Sequence, residues 1–197
     1  MLIEACSHAP SHRLPLIGYE RERGQRHVSA IRCETVDVDR HVREATPADA
    51  EGVSRVYVES WNEGFADLMP PRVLDPEHVA RWSRDLHAGL VRWWLAESGG
   101  SVVGFVGTGP SRDPIDPDLG ELDTIAVAPS VWRRGVGRRL MESALDELRG
   151  GGYGQGIVWT LADYEPGRAF YEATGWRSSG EVRDSGRQIA FRHFLIG

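Results

Sequence analysis

Glu121-Leu122-Asp123-Thr124-Ile125-Ala126-Val127-Ala128-Pro129 leads through Ser130 and Val131 into Trp132-Arg133-Arg134-Gly135-Val136-Gly137-Arg138-Arg139-Leu140-Met141. Ile125, Val127 and their neighbours suit a buried strand, which Pro129 ends. From there the apolar residues fall at Val136, Leu140, Ala144, Leu145 and Leu148, the spacing of a helix with one buried face. The order is strand, basic glycine turn, helix. Gly135 and Gly137 then stand at the helix mouth, where N–H groups lack intrahelical acceptors and the dipole favours negative charge. Small residues let an anion reach the backbone, and Arg133, Arg134, Arg138 and Arg139 attract it from a distance. A ligand with a pyrophosphate suits this turn, although an ordinary helix start with solvated arginines would carry the same residues. It is not a Walker loop, because no Gly-Lys-Ser/Thr follows and the chain has no lysine. The glycines also lack the spacing of the dinucleotide fingerprint.

The second half of the chain narrows the choice. Gly156-Ile157-Val158-Trp159-Thr160-Leu161 is a β-rich apolar run. Tyr164-Glu165-Pro166-Gly167-Arg168-Ala169-Phe170-Tyr171-Glu172-Ala173-Thr174-Gly175-Trp176 then reads as a loop, a short helix, a glycine stop and an aromatic. With the first motif before it, this resembles the GCN5-related N-acetyltransferase (GNAT) family over roughly residues 40 to 197. The resemblance implies an α/β fold: a mixed, mostly antiparallel central sheet with helices on both faces. It implies acetyl-CoA as co-substrate and no metal. In that family the turn of Arg133, Arg134, Gly135, Val136, Gly137 and Arg138 would hold the pyrophosphate. The backbone of Ile125, Ala126 and Val127 would pair with the pantetheine arm as an added strand does. Three positions depart from the family's pattern: Trp132 replaces a usual Gln or Arg, Tyr164 a usual Asn, and Gly167 a usual Ala. The turn works mainly through backbone N–H groups, so the departures bear chiefly on the pantetheine contact that the Asn makes.

The 197 residues suit one domain with a sizeable core. Residues 1–38 read as a flexible N-terminal extension of little periodicity, and residues 39–197 as the acetyltransferase domain. No apolar stretch approaches the ~20 residues of a membrane span, and no basic-then-apolar leader stands at the start. Cys6 and Cys33 both precede the recognisable domain, so a reducing cytoplasm is the simplest home. Cys6, His8 and His12 have no second ligand pair at zinc-like spacing. A net charge of −6 argues against nucleic acid as partner. Without lysine, the protein cannot acetylate its own side-chain amines.

Thr46-Pro47-Ala48-Asp49 is a helix start, with Ala50, Val53, Val56 and Tyr57 as its apolar stripe. Residues 61–69 lead to Pro70-Pro71 and read as a loop. Asp75-Pro76 opens a second helix that ends near Gly89. Strands are expected at residues 92–97 and 102–108, and two more after Trp176. The predicted order is β-α-α-β-β-β-α-β-α-β-β.

Acetylation needs a neutral amine, a polarised carbonyl and a proton for the departing thiolate. Simple alternation along the strand puts Glu121, Asp123, Ile125 and Val127 on one face. The resemblance makes Glu121 a general base acting through water, or else a structural carboxylate; Asp123 is a weaker candidate of the same kind. It makes Tyr171 the proton donor to the thiolate, with core packing beside Phe170 as the rival account. Trp61 and Phe65 would line the acceptor pocket in the family's layout, or simply cap the core. The function implied is direct acetyl transfer to an amine of a small molecule or peptide. Protein N-terminal or lysine acetylation and a non-catalytic acyl-CoA sensor are the alternatives. Dimers are common in the family, so a homodimer is a candidate assembly with the oligomeric state open.

Overall fold

A computed structural model describes residues 41–112 and 114–195. The extension expected over residues 1–38, with Cys6, His8, His12 and Cys33, lies outside the described residues. A short strand β1 (Val42–Glu44) precedes α1 (Ala50–Gly64) and α2 (Pro76–Ala88). Then come β2 (Arg92–Ser98), β3 (Ser101–Pro110), β4 (Leu119–Val127), α3 (Val136–Gly150) and β5 (Gln155–Leu161). The described chain closes with α4 (Glu165–Ala173), β6 (Arg177–Arg183) and β7 (Gln188–Phe194). This is the order that the periodicity and the breakers predict.

The local signals act as their chemistry dictates. Asp75 accepts the His78 N–H at 2.8 Å to cap α2, and Gly89 ends it at φ 70°. Before α1, residues 47–49 form one tight 3₁₀ turn, and Asp49 reaches back to the Thr46 N–H at 2.8 Å. The helix proper therefore begins at Ala50. It also runs further than its breakers suggest, so Trp61 lies on its last turn rather than in a loop.

The strands form a single seven-stranded sheet in the order β1-β2-β3-β4-β5-β7-β6. Every neighbouring pair is antiparallel except β4 and β5. Helices α1 and α2 cover one face, where Trp82 meets Phe105 with ring centroids 5.0 Å apart. Helix α3 covers the other so closely that a Cβ on Gly104 would stand 2.9 Å from Leu140 and 3.2 Å from Val136. Helix α4 lies on the α3 side, since Phe170 is the nearest neighbour of a Cβ built on Gly137.

Two features of β4 position the site. The first is a bulge: Thr108 pairs with Leu122 and Gly107 with Thr124, so Asp123 has no partner of its own. The extra residue shifts the alternation by one. Glu121 therefore shares a face with Thr124 and Ala126, toward α1 and α2, while Leu122, Ile125 and Val127 face α3. The single face expected for Glu121, Asp123, Ile125 and Val127 does not survive that shift. The second feature is a parting. Strand β4 pairs with β5 only at Leu119, Gly120 and Glu121, opposite Gln155, Gly156 and Ile157. Beyond Glu121 the two strands separate, which opens a cleft at the carboxyl ends of the one parallel pair among the described residues, where open α/β sheets bind ligands.

Candidate active site

On the α3 side of the parting, the turn between β4 and α3 is held open. Arg133 takes φ 63° and Gly135 φ 84°, both left-handed. A Cβ on Gly135 would meet nothing within 4 Å, so the space before it is open. Arg139 donates to the Gly135 carbonyl at 3.3 Å, and the N–H groups of Val136, Gly137 and Arg138 precede that first helical bond. Val136 itself is buried in the core. Arg133, Arg134 and Arg138 are exposed, and among the described residues they make no ion pair. Their charge therefore acts on whatever anion approaches. Open space, outward N–H groups and unopposed guanidinium charge together fit a pyrophosphate. Trp132, the departure from the family pattern, donates its indole N–H to the Val127 carbonyl at 2.6 Å. It ties the turn to the end of β4 and takes up one lone pair of that carbonyl. Ile125, Ala126 and Val127 all lie in the separated part of β4.

On the opposite face stands a charged cluster that sequence reading missed. Arg112 donates to Glu121 from its backbone N–H at 3.1 Å, from Nε at 3.4 Å and from Nη2 at 3.1 Å. The same Nη2 also bonds Asp123, whose other oxygen accepts from Thr124 Oγ1 at 2.9 Å. Glu121 is 2% exposed, so this clamp offsets the cost of burying its charge. Burial works against the Arg112 charge, but the hydrogen bond to Glu121 and the charges of Asp123 and Glu121 outweigh it. They hold the guanidinium's pKa above its ordinary value. A lone arginine in a loop shows nothing by itself. The available signal was a strand with carboxylates at positions 121 and 123 that needed a partner.

Asp123 and Arg112 line a pocket of about 460 Å³, with Tyr57 of α1, Arg81 and Trp82 of α2, and Trp93 of β2 among its walls. Tyr57 is buried, and burial raises its pKa against the opposing pull of Arg72 and Arg81. Trp61 and Phe65, the walls expected from sequence, are not among the residues lining this pocket. They are 3% and 1% exposed and pack behind it, because the longer α1 turns Trp61 inward. Arg72 stacks on Trp61 at 3.8 Å from the ring centroid, and Trp61 Nε1 donates to the Pro70 carbonyl at 2.9 Å. Asn62 holds the backbone of Arg72 at both N–H and C=O, at 2.7 and 2.9 Å. The α1–α2 connection is thereby pinned.

Tyr164 and Tyr171 are both buried, on the elements that border the parting. The Tyr164 ring lies 4.5 Å from Phe65, centroid to centroid. A Cβ on Gly167 would fall 2.5 Å from Tyr164 Cδ1. The two departures at 164 and 167 are thus one change, in which a larger ring fills the space of a lost methyl. Tyr171, on α4, is fully buried with Phe191 at 5.7 Å, Phe170 at 5.9 Å and Trp176 at 6.2 Å. Among the described residues no group of three or more His, Cys, Asp or Glu could hold a metal ion. None of the described helices is long and apolar enough to cross a membrane.

An anionic carrier and a second substrate can thus reach the parting from opposite faces of the sheet, the layout of a group-transfer enzyme. Residues 51–176 match the model of the acetyltransferase (GNAT) family, and the chain belongs to that family. It is an acetyltransferase that takes acetyl-CoA as co-substrate. A probable N-acetyltransferase of Mycobacterium tuberculosis is 28% identical, the match covering 72% of this chain and 82% of that protein. The uncharacterized N-acetyltransferase YuaI of Bacillus subtilis is 31% identical over 67% of this chain and 77% of its own length. Among solved structures, an acetyltransferase of Salmonella typhimurium with its cofactor acetyl-CoA shares the fold, with a TM-score of 0.64 at 19% identity. That likeness covers 81% of this chain and 95% of the other.

Proposed function

We propose that the protein transfers an acetyl group directly from acetyl-CoA to the amine of a small molecule. The observation that carries the choice of a small molecule lies across the α1/α2 face. Arg187, from the turn between β6 and β7, brings Nη2 to 3.4 Å from Met69 Sδ in the α1–α2 connection. That contact, with the connection itself pinned, ties the two loops together, which disfavours an extended peptide lying between them. What remains is the pocket beside Asp123.

Acetyl-CoA supplies an activated thioester: the amine nitrogen bonds to the carbonyl carbon, the C–S bond breaks, the nitrogen loses a proton and the thiolate gains one. The residues divide that work. N–H groups at residues 135–138 hold the pyrophosphate, and separated backbone at residues 125–127 aligns the pantetheine arm and polarises the carbonyl. Glu121 and Asp123, sharing one guanidinium, sum with it to a charge of −1 that draws the amine in and takes its proton, directly or through water. Tyr171 gives a proton to the sulfur. Tyr164, with its ring against Phe65, packs beside the pantetheine.

The test is thiol release from acetyl-CoA with a panel of small amines, set against peptides with free N-termini and lysine-containing peptides. Turnover of small amines with little on the peptides is expected. Peptides turned over faster than every small amine would reverse the choice.

A further inference from the structure

The pocket beside Asp123 carries charges of both signs. Arg112 and Asp123 line it, and with buried Glu121 behind the same guanidinium they sum to a net negative charge. Arg81 of α2 lies near the Tyr57 hydroxyl, which the charge of Asp123 also reaches. Among the described residues Arg81 makes no ion pair. Asp85 stands one turn further along α2 but is exposed at the rim. Trp82, Trp93, Leu90 and Val91 give the pocket an apolar wall as well.

Those two indoles carry a second, independent observation. Trp82 is 4% exposed and Trp93 6%, and the Nε1–H of each is buried without a hydrogen-bond acceptor among the described residues. Buried N–H groups nearly always find an acceptor, and an indole can only donate. A guanidinium with no carboxylate, lining a pocket beside two indoles whose own N–H groups lack acceptors, calls for a group that only accepts and carries negative charge. An ammonium cannot answer them, and a neutral amine offers one lone pair and no charge. A carboxylate can, through two oxygens with several lone pairs.

We propose that the acceptor is an amino carboxylate with an apolar body, such as an aliphatic or aromatic amino acid. Its carboxylate meets Arg81, its amine faces Asp123, and its apolar body lies against the indole wall. This rests on the small-amine reading above. A peptide N-terminus fits poorly, because the group beside its amine is an amide rather than a carboxylate.

A matched set separates these cases: phenylalanine, phenylalaninamide and phenethylamine, with the leucine set alongside, assayed with the full chain by thiol release from acetyl-CoA. The amino acid should exceed its amide and its decarboxylated amine by roughly 10–100-fold in kcat/KM, the worth of one charged hydrogen-bonding group. Arg81→Gln, a change on a half-exposed helix position, should collapse that ratio toward one by raising KM for the amino acid. An amine or amide used as well as the amino acid would overturn the proposal. So would an unchanged ratio in Arg81→Gln. Turnover confined to amines without a carboxylate overturns this proposal and leaves the small-amine reading standing. No turnover of any small amine, with acetyl-CoA still raising the melting temperature, overturns both.

Discussion

At Arg112 one guanidinium serves two carboxylates, so removing it acts twice. Arg112→Gln leaves Glu121 buried without its charged donor, and the loss should show in urea unfolding. It should fall below the ~3–5 kcal/mol of a fully buried broken pair, because the Arg112 side chain is 58% exposed and water can take its place. Adding Glu121→Gln to that variant should recover part of the loss, since a neutral amide needs no cation. A double variant weaker than the single would show that the clamp is not what burial of Glu121 depends on. Tyr171 allows a cleaner separation of chemistry from packing. Tyr171→Phe keeps the ring among Phe170, Trp176 and Phe191 and removes the hydroxyl proposed as proton donor. Turnover on any accepted amine should fall by roughly 10²–10⁴ with acetyl-CoA affinity little changed. Unchanged turnover would reduce the residue to packing.

Elements answer to pairs of residues rather than single ones, and α4 shows it. Gly167→Ala would normally strengthen a helix by up to ~1 kcal/mol. Here the new methyl would strike the Tyr164 ring, and overpacking should cost ~1–3 kcal/mol. Tyr164→Asn empties that space at a cost of its own, so Gly167→Ala placed on top of it should now stabilise. Denaturant unfolding of both singles and the double measures the coupling; strictly additive losses would deny it. The order of elements was legible because each carries a local signal: Asp75-Pro76 and Gly89 around α2, Val136 to Leu148 spacing in α3, Pro129 after β4. The phase of β4 was not, because a bulge at Asp123 is set by how β3 pairs across it, with Trp93 crowding Gly107. For the same reason the glycine turn could be read in advance and the pocket could not. The turn is contiguous in sequence, whereas Tyr57, Arg81, Trp93 and Arg112 meet only once the sheet has formed.

At the scale of the whole molecule, the start of α1 is fastened to the sheet edge by charge. Arg43 of β1 binds Asp49 through two hydrogen bonds of 2.7 and 2.9 Å and reaches Glu97 of β2 at 2.7 Å. The Arg43 hydrogen bond lowers the pKa of Asp49 to about 2 from 3.8. A carboxylate depressed on folding adds stability above its unfolded pKa and loses it as the pH falls toward the folded one. Wild type should therefore exceed Asp49→Asn by on the order of 1–2 kcal/mol at neutral pH. That margin should hold down to about pH 5 and shrink between pH 4 and 2. Urea midpoints for the two proteins across that range are the measurement, and a margin that does not change with pH would mean that Asp49 acts only as a hydrogen-bond acceptor.

The separation of β4 from β5 after Glu121 also dictates the order of events in time. If the carrier and the acceptor enter by different faces, as proposed above, neither has to leave before the other arrives, and both can be present when the bond changes hands. Residues 41–195 contain no cysteine on which an acetyl group could wait. Initial rates measured over a grid of acetyl-CoA and amine concentrations should accordingly give double-reciprocal lines that intersect. Parallel lines would mean that a covalently acetylated enzyme stands between the two half-reactions, and that the cleft is an entrance used twice rather than a meeting point.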